Sequence, residues 1–225
     1  MASADEVSDK DRRIATIAST IRVIPDFPKP GILFQDITTL LLDVKAFKDT
    51  IDLFVERYKD KDISVVADWL DISGSDDILL KRNPVFIAGY PVPTALTSPC
   101  LGVAFAFSIE ARGFIFGPPI ALAIGAKFVP IRKPKKLPGE VISEEYSLEY
   151  GSDIMEMHIG AVQPRERALV IDDLIATGGT LAAAIRLLER VGAEVVECAC
   201  VIELPELQGR KRLGDKPLFI LVSAV

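Results

Sequence analysis

Two adjacent carboxylates, Asp172 and Asp173, follow the apolar run Ala168 to Ile171 and precede Thr177-Gly178-Gly179-Thr180, which opens a helical pattern. That order brings backbone N–H groups and two threonine hydroxyls to one point at a helix start, which is an anion site. The glycines let the backbone approach without Cβ obstruction, and the threonines add hydroxyl donors to phosphate oxygens. Carboxylates placed just before such a cradle accept hydrogen bonds from vicinal sugar hydroxyls. A ribose 5-phosphate fits both parts. The loop lacks the Gly-Lys-Ser/Thr of a Walker A motif and the Gly-x-Gly-x-x-Gly of a dinucleotide fold, so a nucleotide triphosphatase and a dinucleotide oxidoreductase both lose support. Taken alone, Thr-Gly-Gly-Thr is an ordinary turn and Asp172-Asp173 a helix cap. The length of the run from Val170 to Thr180, set between a strand and a helix, favours the ligand.

The elements that must position this loop follow from apolar spacing. Ile14, Ile17 and Ile21 recur at helical intervals, as do Val44, Phe47, Ile51, Phe54 and Tyr58. Between them, three prolines and a glycine in residues 25–31 forbid a helix and make an ordered loop. Ile63 to Ala67, Lys127 to Ile131 and Ala168 to Ile171 read as buried parallel strands. Leu181, Ile185, Leu188 and Val191 mark a helix closed by Gly192, and Glu194 to Ile202 returns as a strand. This alternation predicts one α/β domain over residues 1–225, with a mostly parallel sheet flanked by helices and ligands at the carboxyl ends of its strands.

Bulk properties exclude several classes. With 225 residues, 49% hydrophobic, the chain can bury a sizeable core. A formal net charge of -6 argues against nucleic acid as a partner, so any anion must be held locally. Ile115 to Ile131 is broken by prolines, Gly125 and Lys127, and no stretch reaches the length of a membrane span. Cys100, Cys198 and Cys200 form no metal-ligand spacing and suit a reducing compartment. Cys198 and Cys200 are expected to face one side of a strand. Asp5, Glu6 and Asp9 make the start unlike a signal or transit peptide, so a cytoplasmic location is expected.

The string Val170 to Thr180 closely resembles the signature of type I phosphoribosyltransferases. Residues 24–39, Glu110-Ala-Arg-Gly-Phe-Ile-Phe-Gly-Pro118 and Tyr146-Ser-Leu-Glu-Tyr-Gly151 resemble the adenine phosphoribosyltransferase family, plant versions most of all, over roughly residues 10–67 and 109–222. The resemblance implies a type I phosphoribosyltransferase fold with a small amino-terminal hood at about residues 22–43. The implied activity joins adenine to the ribose carbon of 5-phosphoribosyl 1-pyrophosphate (PRPP), giving AMP and pyrophosphate in purine salvage. It also implies Mg²⁺ carried mainly by PRPP or pyrophosphate rather than by side chains, and a homodimer.

Each motif then takes a role by resemblance. Asp172, Asp173, Ala176, Thr177, Gly178, Gly179 and Thr180 hold the ribose and 5′-phosphate. Arg112 grips pyrophosphate bidentately and contributes to catalysis, a geometry lysine cannot supply. Residues 132–153 are the closing lid, read as a long mobile loop, whose closure brings Lys133 and Lys136 to pyrophosphate and excludes water. Glu149 is the general acid toward the purine N7 region, and Tyr150 a gate. Phe34 stacks on adenine with Leu174 on the other face, while backbone groups of Leu33 and Gln35 read its edge. Many family members carry Arg where Gln35 stands. His158, the only histidine, is expected to be structural on a strand.

One segment departs from the family pattern. Relatives pass from a strand like Val65-Val66-Ala67 to Glu110-Ala111-Arg112 with little more than a glycine between, whereas this chain inserts Asp68 to Ser108, including its only tryptophan, Trp69. The clean interruption suggests a retained intron or gene-model error. If the segment is genuine, Val103 to Ile109 is a second candidate for the strand that aims Arg112. Three readings follow: an adenine-specific enzyme, a nucleotide-binding protein disabled by the insertion, and an enzyme for another purine.

Overall fold

In this computed structural model, residues 4–27, 29–70, 113–148 and 151–224 are described. The isoleucine spacing at the start forms helix α1 (Ala4–Thr20), with Ile17 fully buried. Strands β1 (Arg22–Pro25) and β2 (Leu33–Asp36) pair antiparallel as a small ribbon. The proline-rich segment between them is a turn in which the Gly31 amide donates to Asp26 Oδ1 at 2.7 Å. A short helix α2 (Thr38–Leu42) follows, then α3 (Val44–Tyr58), whose N-cap Asp43 accepts from the Ala46 amide at 2.9 Å. Helix α3 buries Ala46, Thr50, Leu53, Phe54 and Tyr58 along one face, as its apolar spacing requires.

Seven strands form the main sheet. Strand β3 (Val65–Leu70) is followed in the described chain by helix α4 (Gly117–Ile124) and β4 (Lys127–Arg132). Next come β5 (Val141–Leu148), β6 (Gly151–His158) and β7 (Arg167–Ile175), then helix α5 (Gly179–Arg190), β8 (Glu194–Glu203) and β9 (Leu218–Ser223). The spatial order is β5-β6-β4-β3-β7-β8-β9. Neighbours from β4 through β9 are parallel, and β6 and β5 add an antiparallel edge. One core layer packs α5 residues such as Leu181, Leu187 and Leu188 on Val170, Cys198 and Cys200. The opposite layer packs α1, α3 and α4 on Val66, Leu169, Ile171 and Val201. Alternate β7 residues thus serve opposite faces, which is why the strand reads as continuously apolar.

Two expectations change. The strand expected at Ile63 to Ala67 runs from Val65 to Leu70, so Asp68, Trp69 and Leu70 continue the central strand rather than begin a loop. The second strand candidate, Val103 to Ile109, lies outside the described residues. The segment 132–153, expected as a long mobile loop, contains β5 and the start of β6, in register from Val141 opposite His158 to Leu148 opposite Gly151. Its charged residues obscured the period of two, because edge strands carry charge on their solvent side. The remainder of the 68–108 insertion, from Ile72 onward and including Cys100, lies outside the described residues, as does Asp71. Cys198 and Cys200 do share one buried face of β8, and His158 does end a strand.

Candidate active site

The phosphate loop is built at the carboxyl end of β7. The strand carries Asp172, Asp173 and Leu174 to its last turn, residues 176–178 bend, and α5 starts at Gly179. Gly178 is the N-cap in a left-handed conformation, φ 76°, and no side chain caps the helix. The first helical amide bond runs from Ala182 to the Gly178 carbonyl at 3.0 Å, so the amides of Gly179, Thr180 and Leu181 have no partner within the helix. They and the Thr177 and Thr180 hydroxyls are groups that can donate to an anion. The loop also needs Gly178 for space: a Cβ there would collide with the Gly209 carbonyl, and one on Gly209 would collide with the Ala176 carbonyl. A 3-10 segment, Gly209–Leu213, therefore braces the loop from behind, and the Leu204 amide fixes the strand end by donating to the Ile175 carbonyl at 3.0 Å.

Asp172 and Asp173 are each 8% exposed, and the Asp173 amide donates to Asp172 Oδ1 at 2.9 Å, which orients that carboxylate. Beside β7, Asp68 is wholly buried, with Oδ2 accepting from the Gly117 amide at 3.1 Å. Burial pushes the Asp68 carboxyl well above the usual range, the neighbouring charge of Asp172 adds to this, and the Gly117 amide opposes it. Gly117 is obligatory in this contact, since a Cβ would stand 2.5 Å from Asp68 Oδ2 and 2.8 Å from the Phe128 ring. In the amino-acid sequence Asp68 reads as the first residue of an insertion. The signal that marks its true place is the pattern shared with β7, an apolar run ending in aspartate at the carboxyl end of a central strand.

Of the expected lid cations, Lys133 is held by the hairpin and Lys136 follows it in a local turn. Lys133 Nζ lies 3.1 Å from Asp153 of β6, and the Lys136 amide donates to the Lys133 carbonyl at 3.3 Å. Glu144 of β5 accepts from Arg186 at 2.6 Å and Arg190 at 2.9 Å, joining the hairpin to the helix that starts at the phosphate loop. Burial pushes the Glu144 carboxyl up, but the bonds from Arg186 and Arg190 outweigh it and hold the group below its ordinary value. Trp69 packs edge-on against Tyr146 of the same hairpin, ring centroids 6.1 Å apart.

In the ribbon, Leu33 is exposed, Phe34 is half-buried against Phe27 with centroids 5.1 Å apart, and Gln35 is buried with its Nε2 3.5 Å from the Leu33 carbonyl. Asp36 ties the ribbon down through Arg22 at 2.6 Å and the Thr38 hydroxyl at 2.6 Å. Leu174 is half-buried in the apolar layer that also contains Ile37 and Leu40, so the segment that follows the ribbon shares one core with the end of β7. Arg112, Glu149 and Tyr150 lie outside the described residues.

Known proteins share both the loop and the topology. A phosphoribosyl transferase domain model matches residues 105–224. "Adenine phosphoribosyltransferase 1" of Triticum aestivum is 65% identical over 214 residues, covering 95% of this chain and 96% of the relative. The chain belongs to the adenine phosphoribosyltransferase family. The chloroplastic "Adenine phosphoribosyltransferase 1" of Arabidopsis thaliana is likewise 65% identical, over 96% of this chain and 72% of the relative. The crystal structure of adenine phosphoribosyltransferase from Rhodothermus marinus superposes with a TM-score of 0.73 at 38% identity, over 95% of this chain and 99% of that one. The seven-stranded sheet is therefore the type I phosphoribosyltransferase fold. Within the family frame, the structure brings together the β7 carboxylates and the phosphate loop, and it adds Asp68 beneath them.

Among the described residues, no group of three or more His, Cys, Asp or Glu side chains could hold a metal ion, and no helix is long and apolar enough to cross a membrane. Burial pushes the Cys198 thiol up to about 12 and that of Cys200 well above its ordinary value, so neither is a nucleophile.

Proposed function

We propose that the chain transfers the phosphoribosyl group of PRPP to adenine, giving AMP and pyrophosphate in purine salvage. The observation that carries this reading is the uncapped start of α5, set directly after Asp172-Asp173 in a chain of this family. Loop amides from Ala176 to Thr180 and the two threonine hydroxyls bind the 5′-phosphate, and Asp172 and Asp173 accept hydrogen bonds from the 2′- and 3′-hydroxyls. The ribose is thereby fixed at both ends, which places C1′ for attack by adenine N9 as pyrophosphate departs.

The base lies between Phe34 and Leu174, with Leu33 and Gln35 reading its edge through backbone groups. Arg112, Lys133 and Lys136 take the departing pyrophosphate. Lys133 exchanges its Asp153 partner for the leaving group in doing so. Adenine must lose one imidazole proton as the N9–C1′ bond forms, so Glu149, expected as a general acid toward N7, accepts that proton in this direction and returns it in the reverse one, while Tyr150 closes over the site. Mg²⁺ carried by PRPP would neutralise charge on the leaving group, and no carboxylate of this chain is assigned to hold it. Asp172 and Asp173 stay with the ribose hydroxyls.

A homodimer belongs to this reading: Leu42 and Val44, each 82% exposed, present apolar surface that a second copy would cover. Sedimentation of the purified chain tests it. The buried free thiols suit a reducing compartment, and we place the protein in the cytoplasm; microscopy of a fluorescent fusion separates this from a plastid location. Asp68 to Leu70 complete strand β3, and for the rest of the insertion, through Ser108, we keep the reading of a retained intron or gene-model error. Recovery of tryptic peptides spanning it at full abundance from native protein would sink that idea.

The deciding assay supplies the full chain, and a version lacking Asp68 to Ser108, with adenine, PRPP and Mg²⁺ while AMP is followed. Both are expected to form AMP. Activity only in the shortened form would mark the insertion as disabling, and acceptance of hypoxanthine or guanine in place of adenine would overturn the base assignment.

A further inference from the structure

Asp68 has surroundings that its neighbours on the central strand do not share. It is 0% exposed, lies opposite Ile171, one residue before Asp172, and on its other side faces Pro130 of β4. One carboxyl oxygen anchors the first amide of α4, Gly117. The other, Oδ1, is buried and has no hydrogen-bond partner among the described residues. A buried carboxylate is retained at such a place when a cation or several donors compensate it. Here the groups that bear on it are the charges of Asp172 and Asp173 from β7, the amide of Gly117 from α4, and the amide of Trp69 from its own strand. The Cys200 thiol of β8 is within its electrostatic reach, while Phe128 and Pro130 on β4 are uncharged.

We propose that Asp68 is a further determinant of donor binding: it shares the floor of the site with the Asp172–Asp173 pair, and PRPP binds the form in which Asp68 carries no charge. This rests on the donor site proposed above. Asp172 and Asp173 must be ionised to accept the ribose hydroxyls, and the donor brings several further negative charges. A third carboxylate at this depth has no counter-ion among the described residues and repels all of them, whereas a neutral carboxyl keeps the bond from Gly117 and removes that charge. One extra unit charge within several ångströms, at an effective dielectric constant of about 20, weakens binding about tenfold or more. By reciprocity, donor binding and protonation of Asp68 favour each other. Asp68 acts on the donor through charge and through the start of α4, and breaks no bond itself.

The neighbour of Asp68 supplies the reporter. Trp69 is the only tryptophan, buried and packed on Tyr146. The full chain, Asp68→Asn and Asp68→Gly are each titrated without ligand across the whole pH range in which they stay folded, reading Trp69 emission. The expected result is a transition in the wild-type chain that both variants lack. PRPP affinity is then measured calorimetrically on the acid and alkaline sides of that transition, with wild type weakening on the alkaline side about tenfold more than either variant. In buffers of different ionisation enthalpy, the wild-type chain should take up protons on binding, a measurement that needs no variant.

Equal pH dependence in wild type and a folded variant, persistence of the Trp69 transition without the carboxyl, or binding without proton uptake at the alkaline pH would each overturn the proposal. Failure of all three forms to bind PRPP at any pH would instead overturn the donor site itself, and the fluorescence titration would still decide the charge of Asp68.

Discussion

Replacing Gly178 by alanine tests the phosphate loop most directly, because the structure separates its two penalties. Gly178 has φ 76°, and an alanine there carries left-handed strain of about 1–2 kcal/mol. Gly125, at the C-terminus of α4, has nearly the same backbone, φ 74°, but a Cβ added there would meet nothing within 4 Å. Gly125→Ala is therefore expected to show the strain alone, lowering Tm by about 2–4 °C for each kcal/mol in a chain of this length and leaving kinetics unchanged. At Gly178 the added methyl also meets the Gly209 carbonyl, which is backbone and cannot rotate away. The loop or its brace must shift, and the amides of Gly179 to Leu181 shift with it. A displacement near 1 Å at a reacting centre lowers rate by about a hundredfold. Gly178→Ala should thus raise the KM for PRPP about 10- to 100-fold while the KM for adenine moves less than about threefold. Initial rates of AMP formation with each substrate varied, alongside thermal melts of both variants, decide the matter. If Gly178→Ala keeps the wild-type KM for PRPP, or if Gly125→Ala loses as much activity, the loop does not bind the donor as argued.

Three further outcomes follow from the same geometry. Asp172→Asn, which keeps the shape but loses a charged acceptor, should lower kcat/KM for PRPP by about 10- to 100-fold with little change in Tm. Glu197, buried on β8, binds Arg57 at 2.5 Å and Lys61 at 2.7 Å. Glu197→Gln should therefore destabilise by about 2 kcal/mol in urea unfolding, less than a fully buried pair because the cations reach water. Burial pushes Glu197 and Asp36 up, but Arg57 and Lys61 in the first case and Thr38 and Arg22 in the second hold both below their ordinary values. Their stabilisation is complete above the unfolded carboxylate range and is lost as pH falls through the lower folded values, so the urea midpoint should drop below about pH 4, and less steeply in Glu197→Gln. Leu188→Ala, in the fully buried face of α5, should lower stability by about 2–5 kcal/mol without altering either KM.

What was legible from the residues was local. The phosphate loop is one contiguous run, so strand, carboxylates, glycines and helix start can be read from neighbours in the chain. The amphipathic helices α1, α3 and α5 and the parallel strands were legible for the same reason, because each carries its period within itself. The hairpin of β5 and β6 was not, since its edge position lets charged residues replace the expected alternation. Nor was the ribbon of β1 and β2, whose pairing across a proline-rich turn depends on Asp36 holding both Arg22 and Thr38.

The amino-acid sequence by itself determined the fold class and the family, and it marked out the loop proposed for the ribose phosphate, because those properties follow from short-range pattern. Only the tertiary structure decided that Asp68 belongs to the central strand and anchors Gly117, that Glu144 ties the hairpin to α5, and that Gly209 backs Gly178. Each of these joins residues far apart in the chain through a single contact. Such contacts exist only after sheet order and helix placement bring the partners together, and no periodicity along the chain announces them.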